Sequence, residues 1–417
     1  MKGIYNFSVL LFRSFLILSG KFSSKNRKLV RGRSEIFPSL TRFVGGNDRK
    51  ICWFHVASLG EYEQAKPVIR AFKSRYPEAA IVLTFFSSSG YEHVVKKPQP
   101  HLDLIIYLPF DTPKNAGEFV NLLNPAIVFF VKYDLWPNFI FAVKQKNIPL
   151  FLFSASFRQE QIYFRKHGGF FRKVLFAFDH IFAQNQQTMD LLKAIDYGSA
   201  TLTGDTRFDN VYAISQNPKH FPLIGQFKKQ RHLVVAGSVW EEDMELLIPA
   251  IEAFPQYKFI IAPHDIHEKT IRNWQSRIHR PSITYSALEK AGHQGEEVLF
   301  IDNIGMLSSL YQYARVAYVG GAFGKGLHNI LEALAFEIPV CFGELKRKSK
   351  FPEAGVSQAY GCGFEVKDTA GLRRLILQFE DEEVYDSACR AAGRMVKDNL
   401  GSADGIMDQV QKITGKL

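Results

Sequence analysis

Cysteine is scarce in this chain. Four cysteines (Cys52, Cys341, Cys362 and Cys389) are spread over 417 residues, and none stands in a CxxC spacing or beside a histidine cluster. That excludes a disulfide framework and a zinc ribbon, and leaves four reduced thiols of the kind a cytosolic protein carries. Acidic residues are missing from positions 21–33, and the apolar segment before them, 5–19, is broken by Arg13. It falls short of the ~20 apolar residues that a membrane span needs. What is abundant is apolar: hydrophobic residues make up 46% and charged residues 22%, with 37 phenylalanines. A packed core follows and disorder is excluded. The length suits two domains, and the net charge of +11 favours anionic partners such as nucleic acid, phosphorylated lipid or acidic substrates.

Directly after the apolar segment come Lys21, Lys25, Arg27, Lys28, Arg31 and Arg33. An apolar helix with a basic flank is expected to lie in the headgroup layer of an anionic bilayer. An ordinary first helix of a domain is the bland alternative. A signal peptide is the other, and it is opposed by lysines where small residues should mark a cleavage site. The cations cluster beside the apolar segment rather than along an aromatic-rich face, which favours a membrane surface over nucleic acid.

From residue 50 onward, apolar runs of five to eight residues alternate with longer amphipathic ones: 50–57, 79–86, 102–110, 125–131, 148–156, 179–185 and 200–206. After a polar stretch at 210–231 the alternation resumes at 232–238, 257–263, 296–302, 316–322 and 338–343. This is the pattern of parallel sheets covered by helices. The expected organisation is a membrane-association segment 1–33, a first domain 34–209, a linker 210–231 and a second domain 232–417, whose last helix could cross back. The fold class is α/β, two doubly wound domains facing across a cleft, with ligands beyond the carboxyl ends of the strands.

The motifs gather at those ends. In HVASLGE (55–61), Glu61 is placed to act as a general base on a substrate hydroxyl. Ser58 and Glu61 also have capping-box spacing, so a helix cap is the competing reading. In VGGAFGKGLHNILEAL (319–334), which is neither GxGxxG nor a Walker A run, the glycines would let backbone amides approach a phosphate at a helix opening near His328. Asn329 and Glu332 would then hold a phosphate or sugar oxygen and the ribose hydroxyls. A tight turn with a surface glutamate is the alternative. SSSG (87–90), KYDLWPN (132–138), GDTRFDN (204–210), GSVWEEDM (237–244), APHDIHE (262–268) and DNIGML (302–307) also fall at strand ends. Taken singly, their serines read as helix caps and Trp136-Pro137 as a packed turn.

In this order, HVASLGE, KYDLWPN, GDTRFD, GSVWEED, DNIGML and GGAFGKGLHNILEA resemble the 3-deoxy-D-manno-octulosonic acid (Kdo) transferases of Gram-negative bacteria, from about residue 50 to the C-terminus and including the basic, apolar start. KYDLWPN and GSVWEED look most like the Bacteroidetes branch. The resemblance implies a GT-B glycosyltransferase that moves Kdo from CMP-Kdo to the phosphorylated lipid A precursor (lipid IVA) at the cytoplasmic face of the inner membrane. It implies inversion at the sugar, no metal or other cofactor, and no nucleic-acid partner. It implies Glu61 as base. On the donor side it implies Ser238, His264, Gly305, Met306, Gly321, Gly324, Gly326, Asn329 and Glu332. On the acceptor or supporting side it implies Ser58, Gly60, Ser88, Asp134 and Arg207. The sequence departs from the family pattern in three places. Lys132 stands for the first of two acids, leaving Asp134. His264 stands where an arginine would bind phosphate, so that contact would depend on pH. Arg207 replaces a lysine and keeps its charge. A GT-B transferase using another nucleotide sugar and lipid acceptor, or a related sugar-nucleotide epimerase, is the alternative.

Overall fold

A computed structural model describes residues 1–347 and 350–415, without the side chains of Ser24, Lys25 and Ser89. The readings that place Lys25 in the basic flank and Ser89 among the strand-end hydroxyls therefore fall outside the described residues. The chain divides into two compact units, residues 1–210 with 401–417, and residues 211–400.

The first unit is built on seven parallel strands: β1 (Ile51–Val56), β2 (Ala80–Phe85), β3 (Leu104–Tyr107), β4 (Ile127–Val131), β5 (Leu150–Ala155), β6 (His180–Ala183) and β7 (Ala200–Leu202), in the order β3-β2-β1-β4-β5-β6-β7. Central strands buried on both faces are apolar at nearly every position, which is why they read as continuous runs rather than alternating ones. Successive residues still point to opposite faces. Trp53 of β1 enters one core with Phe119, Phe130 and Phe139, while Cys52, Phe54 and Val56 enter the other with Phe72, Phe129 and Phe153.

The second unit has β8 (Leu233–Val239), β9 (Lys258–Pro263), β10 (Ser282–Thr284), β11 (Val298–Phe300), β12 (Val316–Val319), β13 (Val340–Gly343) and β14 (Gly363–Val366), in the order β10-β11-β9-β8-β12-β13-β14 and parallel throughout. Twelve of the fourteen strands coincide with the expected apolar runs. The other two, β10 and β14, are the edge strands of this sheet. They are short and only partly buried, so they lack the unbroken apolar run.

Neither 1–33 nor 210–231 stands apart from the two units. The polar stretch 210–231 is no bare linker, since it holds the end of the helix Thr206–Gln216 and the helix Pro222–Lys228. Ile224 and Phe227 of the latter are fully buried. The C-terminal helix Ser402–Thr414 belongs to the first unit, where Ala403, Ile406, Met407 and Val410 join the Phe54 core. The Asp209 carboxylate accepts the amides of Gly401 and Ala403 at 2.7 and 2.8 Å, placing an anion at that helix start. Residues 1–33 form two helices, Lys2–Ser19 and Ser24–Ser34, with Val9, Leu16 and Leu29 buried. Among the described residues no helix is long and apolar enough to cross a membrane.

Candidate active site

In each unit the strand order reverses beside the first strand of that unit, between β1 and β4 and between β8 and β12. Doubly wound sheets open a crevice at that switch point. Glu61 lies in the first turn of the helix Leu59–Arg75 that follows β1, and Asp134 lies in the loop that follows β4.

Glu61 is buried, and its Oε2 accepts the Ala57 amide at 2.5 Å. Ser58 occupies the cap position with no side-chain cap bond, so only half of the capping box forms. Burial, and then the neighbouring Asp134 carboxylate, push Glu61 up to about 7, against the Ala57 and Ser58 amides and Lys132, which lower it. A carboxyl group balanced there can take up a proton near neutral pH. Lys132 adopts a left-handed φ of 69°, turning the chain sharply before Asp134, itself raised by burial. Gly60 is exposed next to Glu61, whereas Ser88 is buried in the first turn after β2. A side chain on Gly90 would come within 2.8 Å of the Leu59 nitrogen, so that glycine lets the two helix starts meet.

Behind the Asp134 loop, Trp136 donates its indole N–H to His55 Nε2 at 2.9 Å and stacks on Phe86 at 4.3 Å. His55 Nδ1 in turn meets Thr84 Oγ1 at 2.9 Å. This relay was not expected from sequence; its signal was a histidine inside an otherwise apolar strand. Arg207 is committed to Asp205, donating through Nε at 2.9 Å and pairing through Nη2 at 2.7 Å. Its amide also donates to Asp205 Oδ1 at 3.0 Å, which orders the turn before its helix.

The second unit brings Ser238, His264, the glycine run, Asn329 and Glu332 to the carboxyl ends of β8, β9 and β12. Ser238 is not a helix cap but a left-handed residue, φ 54°, at a bulge between Gly237 and Val239. His264 stacks on both Trp240 (4.4 Å) and His328 (4.3 Å). Gly305 (φ 96°) turns the chain into buried Met306 after β11.

The glycine run does not match the expected phosphate cradle. The Gly321 amide donates to Asp243 Oδ2 at 2.9 Å, those of Gly324 and Gly326 to the Gly321 carbonyl, and that of His328 to the Gly320 carbonyl. These amides close the turn on itself. Gly321 and Gly326, at φ 96° and 126°, are required by its shape, and a Cβ on Gly321 would fall 2.4 Å from the Gly326 carbonyl oxygen. The following helix spans only Leu331–Leu334, opening after His328 rather than at it. Asn329 donates to Glu332 Oε1 at 3.2 Å and accepts the Leu331 amide, so the two expected donor-side residues form one polar unit. A cavity of about 480 Å³ lined by Ile51, Phe72, Tyr76 and Ile127 lies at the amino-terminal end of the first sheet, at the opposite end from Glu61 and Asp134.

Residues 30–210 match the family model of 3-deoxy-D-manno-octulosonic-acid transferase (kdotransferase). The chain is 27% identical over 345 residues to the 3-deoxy-D-manno-octulosonic acid transferase of Aquifex aeolicus, covering 81% of this chain and 89% of that one. It is 25% identical over 368 residues to that of Haemophilus influenzae, covering 85% of each. These matches bear out the resemblance to the Kdo transferases over most of the chain. It is an enzyme of the glycosyltransferase class. The matches single out no branch of that family. Among solved structures it resembles the UDP-GlcNAc 2-epimerase of Neisseria meningitidis (TM-score 0.61, 15% identity, 87% of this chain and 100% of that one). It also resembles MurG of Acinetobacter baumannii (TM-score 0.55, 11% identity, 87% and 99%). At such identities the likeness gives the fold alone, which is GT-B.

Proposed function

We propose that this chain is a Kdo transferase, transferring Kdo from CMP-Kdo to the phosphorylated lipid A precursor, lipid IVA, with inversion at the anomeric carbon. The observation that carries this reading is the Glu61 carboxyl, buried and raised to about 7 beside Asp134 at the switch point of the first sheet. A sugar hydroxyl is a poor nucleophile at neutral pH, and a carboxylate base removing its proton during attack makes it competent. Direct displacement by that hydroxyl inverts the donor carbon, following the general logic of sugar transfer. Asn329 and Glu332 are assigned to the CMP moiety, with Glu332 accepting ribose hydroxyls and Asn329 held in place by it. The reading includes no metal ion, and full turnover after dialysis against a chelator tests that part.

The same reading puts the first helix on the anionic cytoplasmic surface of the inner membrane. Ile4, Phe7, Leu11, Phe15 and Leu18 recur at three- and four-residue spacing and are all exposed, as is Phe22, 92% exposed just beyond the helix end. Such a stripe suits an interfacial helix. Two of the six basic residues after it are otherwise engaged. Arg33 is 8% exposed, lies against the rings of Phe86, Tyr107 and Phe110, and donates to the Leu29 and Phe86 carbonyls. Arg27 donates to the carbonyls of Gly20 and Lys21, tying down the end of the first helix. Lys21, Lys28 and Arg31 are exposed and supply the lipid-facing charge.

Incubation with CMP-Kdo and tetraacyl lipid A precursor, followed by mass spectrometry of the lipid, tests the whole reading. A mass gain of one or more Kdo units is expected. No gain, alongside turnover of another nucleotide sugar, would overturn it.

A further inference from the structure

The departing phosphate of a nucleotide sugar needs a positive neighbour, and the glycine run does not provide one with the amides that close its own turn. A cationic side chain can do so. The strand-end segments 237–244, 262–268, 302–307 and 320–332 contain seven acidic residues (Glu241, Glu242, Asp243, Asp265, Glu268, Asp302, Glu332) and one lysine or arginine, Lys325.

Lys325 does not hang free from the turn. Its Nζ sits 3.7 Å from the centroid of the Trp240 ring. A cation over an indole face is held by the ring quadrupole while its N–H groups stay open to an anion. Trp240 is itself fixed, donating its indole N–H to His328 Nε2 at 3.1 Å, with the two rings only 16° from coplanar. His264 lies against both. Because His328 Nε2 accepts that hydrogen bond, its ring is neutral with the proton on Nδ1. Burial, and then His264, hold its pKa down at about 4. The three rings form a seat without a permanent charge, and the charge comes from the lysine resting on it.

We infer that Lys325, held on the Trp240 indole, is the cation that receives the donor phosphate, in the role that an arginine at position 264 would otherwise fill. This rests on the proposed nucleotide-sugar reading of the same unit. Competing cations are Lys346 and Arg347, exposed in the segment after β13. That segment leads to Phe351, whose ring would lie 2.9 Å from a Cβ on Gly326.

The test is titration calorimetry of the full chain with CMP, cytidine and UMP. Variants are Lys325→Ala, Lys325→Arg, Trp240→Leu and the pair Lys346→Ala/Arg347→Ala. Lys325→Ala is expected to weaken CMP binding roughly ten- to a hundredfold, as loss of a charge-assisted contact does, while cytidine affinity stays the same. Lys325→Arg should recover most of the loss, and Trp240→Leu should reproduce part of it. Unchanged CMP affinity in Lys325→Ala, or an equal loss for cytidine, would overturn the assignment, as would a loss confined to the Lys346/Arg347 pair. Wild-type binding of UMP in place of CMP, still lost in Lys325→Ala, would overturn the CMP reading and leave the role of Lys325 standing. Wild type binding none of the three would overturn both.

Discussion

The indole N–H of Trp136 donates to Nε2 of His55 at 2.9 Å, and through that bond a fully buried histidine holds the loop that carries Asp134. Burial lowers His55 to about 3, so it is neutral, with Nδ1 donating to Thr84 Oγ1 and Nε2 available only as an acceptor. Trp136→Phe leaves that acceptor without a donor in a dry core. The expected cost is about 1–3 kcal/mol of folding stability, read by denaturant unfolding. Turnover should fall with it, since the Asp134 loop loses its anchor. Wild-type stability in this variant would mean that Phe86 stacking alone holds the loop.

Glu61 governs how the rate depends on pH. Its folded pKa of about 7 makes the carboxylate, the active base, accumulate as pH rises through that value, so kcat should climb from pH 6 to pH 8. Asp134 is one of the groups raising Glu61 and Lys132 one of those lowering it. Asp134→Asn should therefore move the acid limb to lower pH, and Lys132→Met to higher pH. Steady-state rates across the pH range check both directions, and limbs that stay put in the two variants would detach Glu61 from the profile.

Glu61→Gln is the companion experiment. Turnover should drop on the order of a hundredfold or more, the scale of general-base catalysis, while CMP affinity is unchanged. Near-normal turnover would return Glu61 to a half-formed helix cap bonded to Ala57.

On the donor side, Asn329 and Glu332 act as a pair, joined at 3.2 Å. Glu332→Ala should weaken CMP binding by about tenfold or more, through the lost ribose acceptor and the released Asn329, in the range of hydrogen bonds to a charged group. Glu332→Gln keeps one carbonyl oxygen and should fall between the two. Calorimetry with CMP decides, and an unaltered affinity would put the nucleotide elsewhere.

Removing the first helix outright would also remove the Tyr5 hydroxyl from buried Asp111, to which it donates at 2.7 Å, and so would disturb the first unit as well as the membrane contact. Phe7→Glu with Phe15→Glu avoids this, because both side chains are more than 60% exposed. This pair should abolish sedimentation with anionic vesicles while sparing activity on detergent-dispersed acceptor. Retained vesicle binding would contradict an interfacial role for that face.

Much of this protein is written locally. Twelve strands are legible as apolar runs, because strands covered on both faces are mostly apolar, with His55 and Thr84 as buried exceptions. The position of Glu61 directly after β1, and of Asp134 after β4, follows from the order of elements along the chain. The sequence also marked the apolar segment 5–19 and its basic flank, since both are contiguous runs.

What the sequence could not decide depends on which distant groups meet. The amides of the glycine run looked available for a phosphate; only the closed turn, with Asp243 and the Gly320 and Gly321 carbonyls as partners, shows where they are used. The sequence allowed the last helix to cross back, but only the structure shows where Ser402–Thr414 docks, with Ala403, Ile406, Met407 and Val410 against the core around Phe54. The proton affinity of Glu61 and the seat of Lys325 on Trp240 likewise come from tertiary burial and contact. Spacing along a chain fixes the elements, but charge and hydrogen bonding are set by neighbours that the chain brings in from elsewhere.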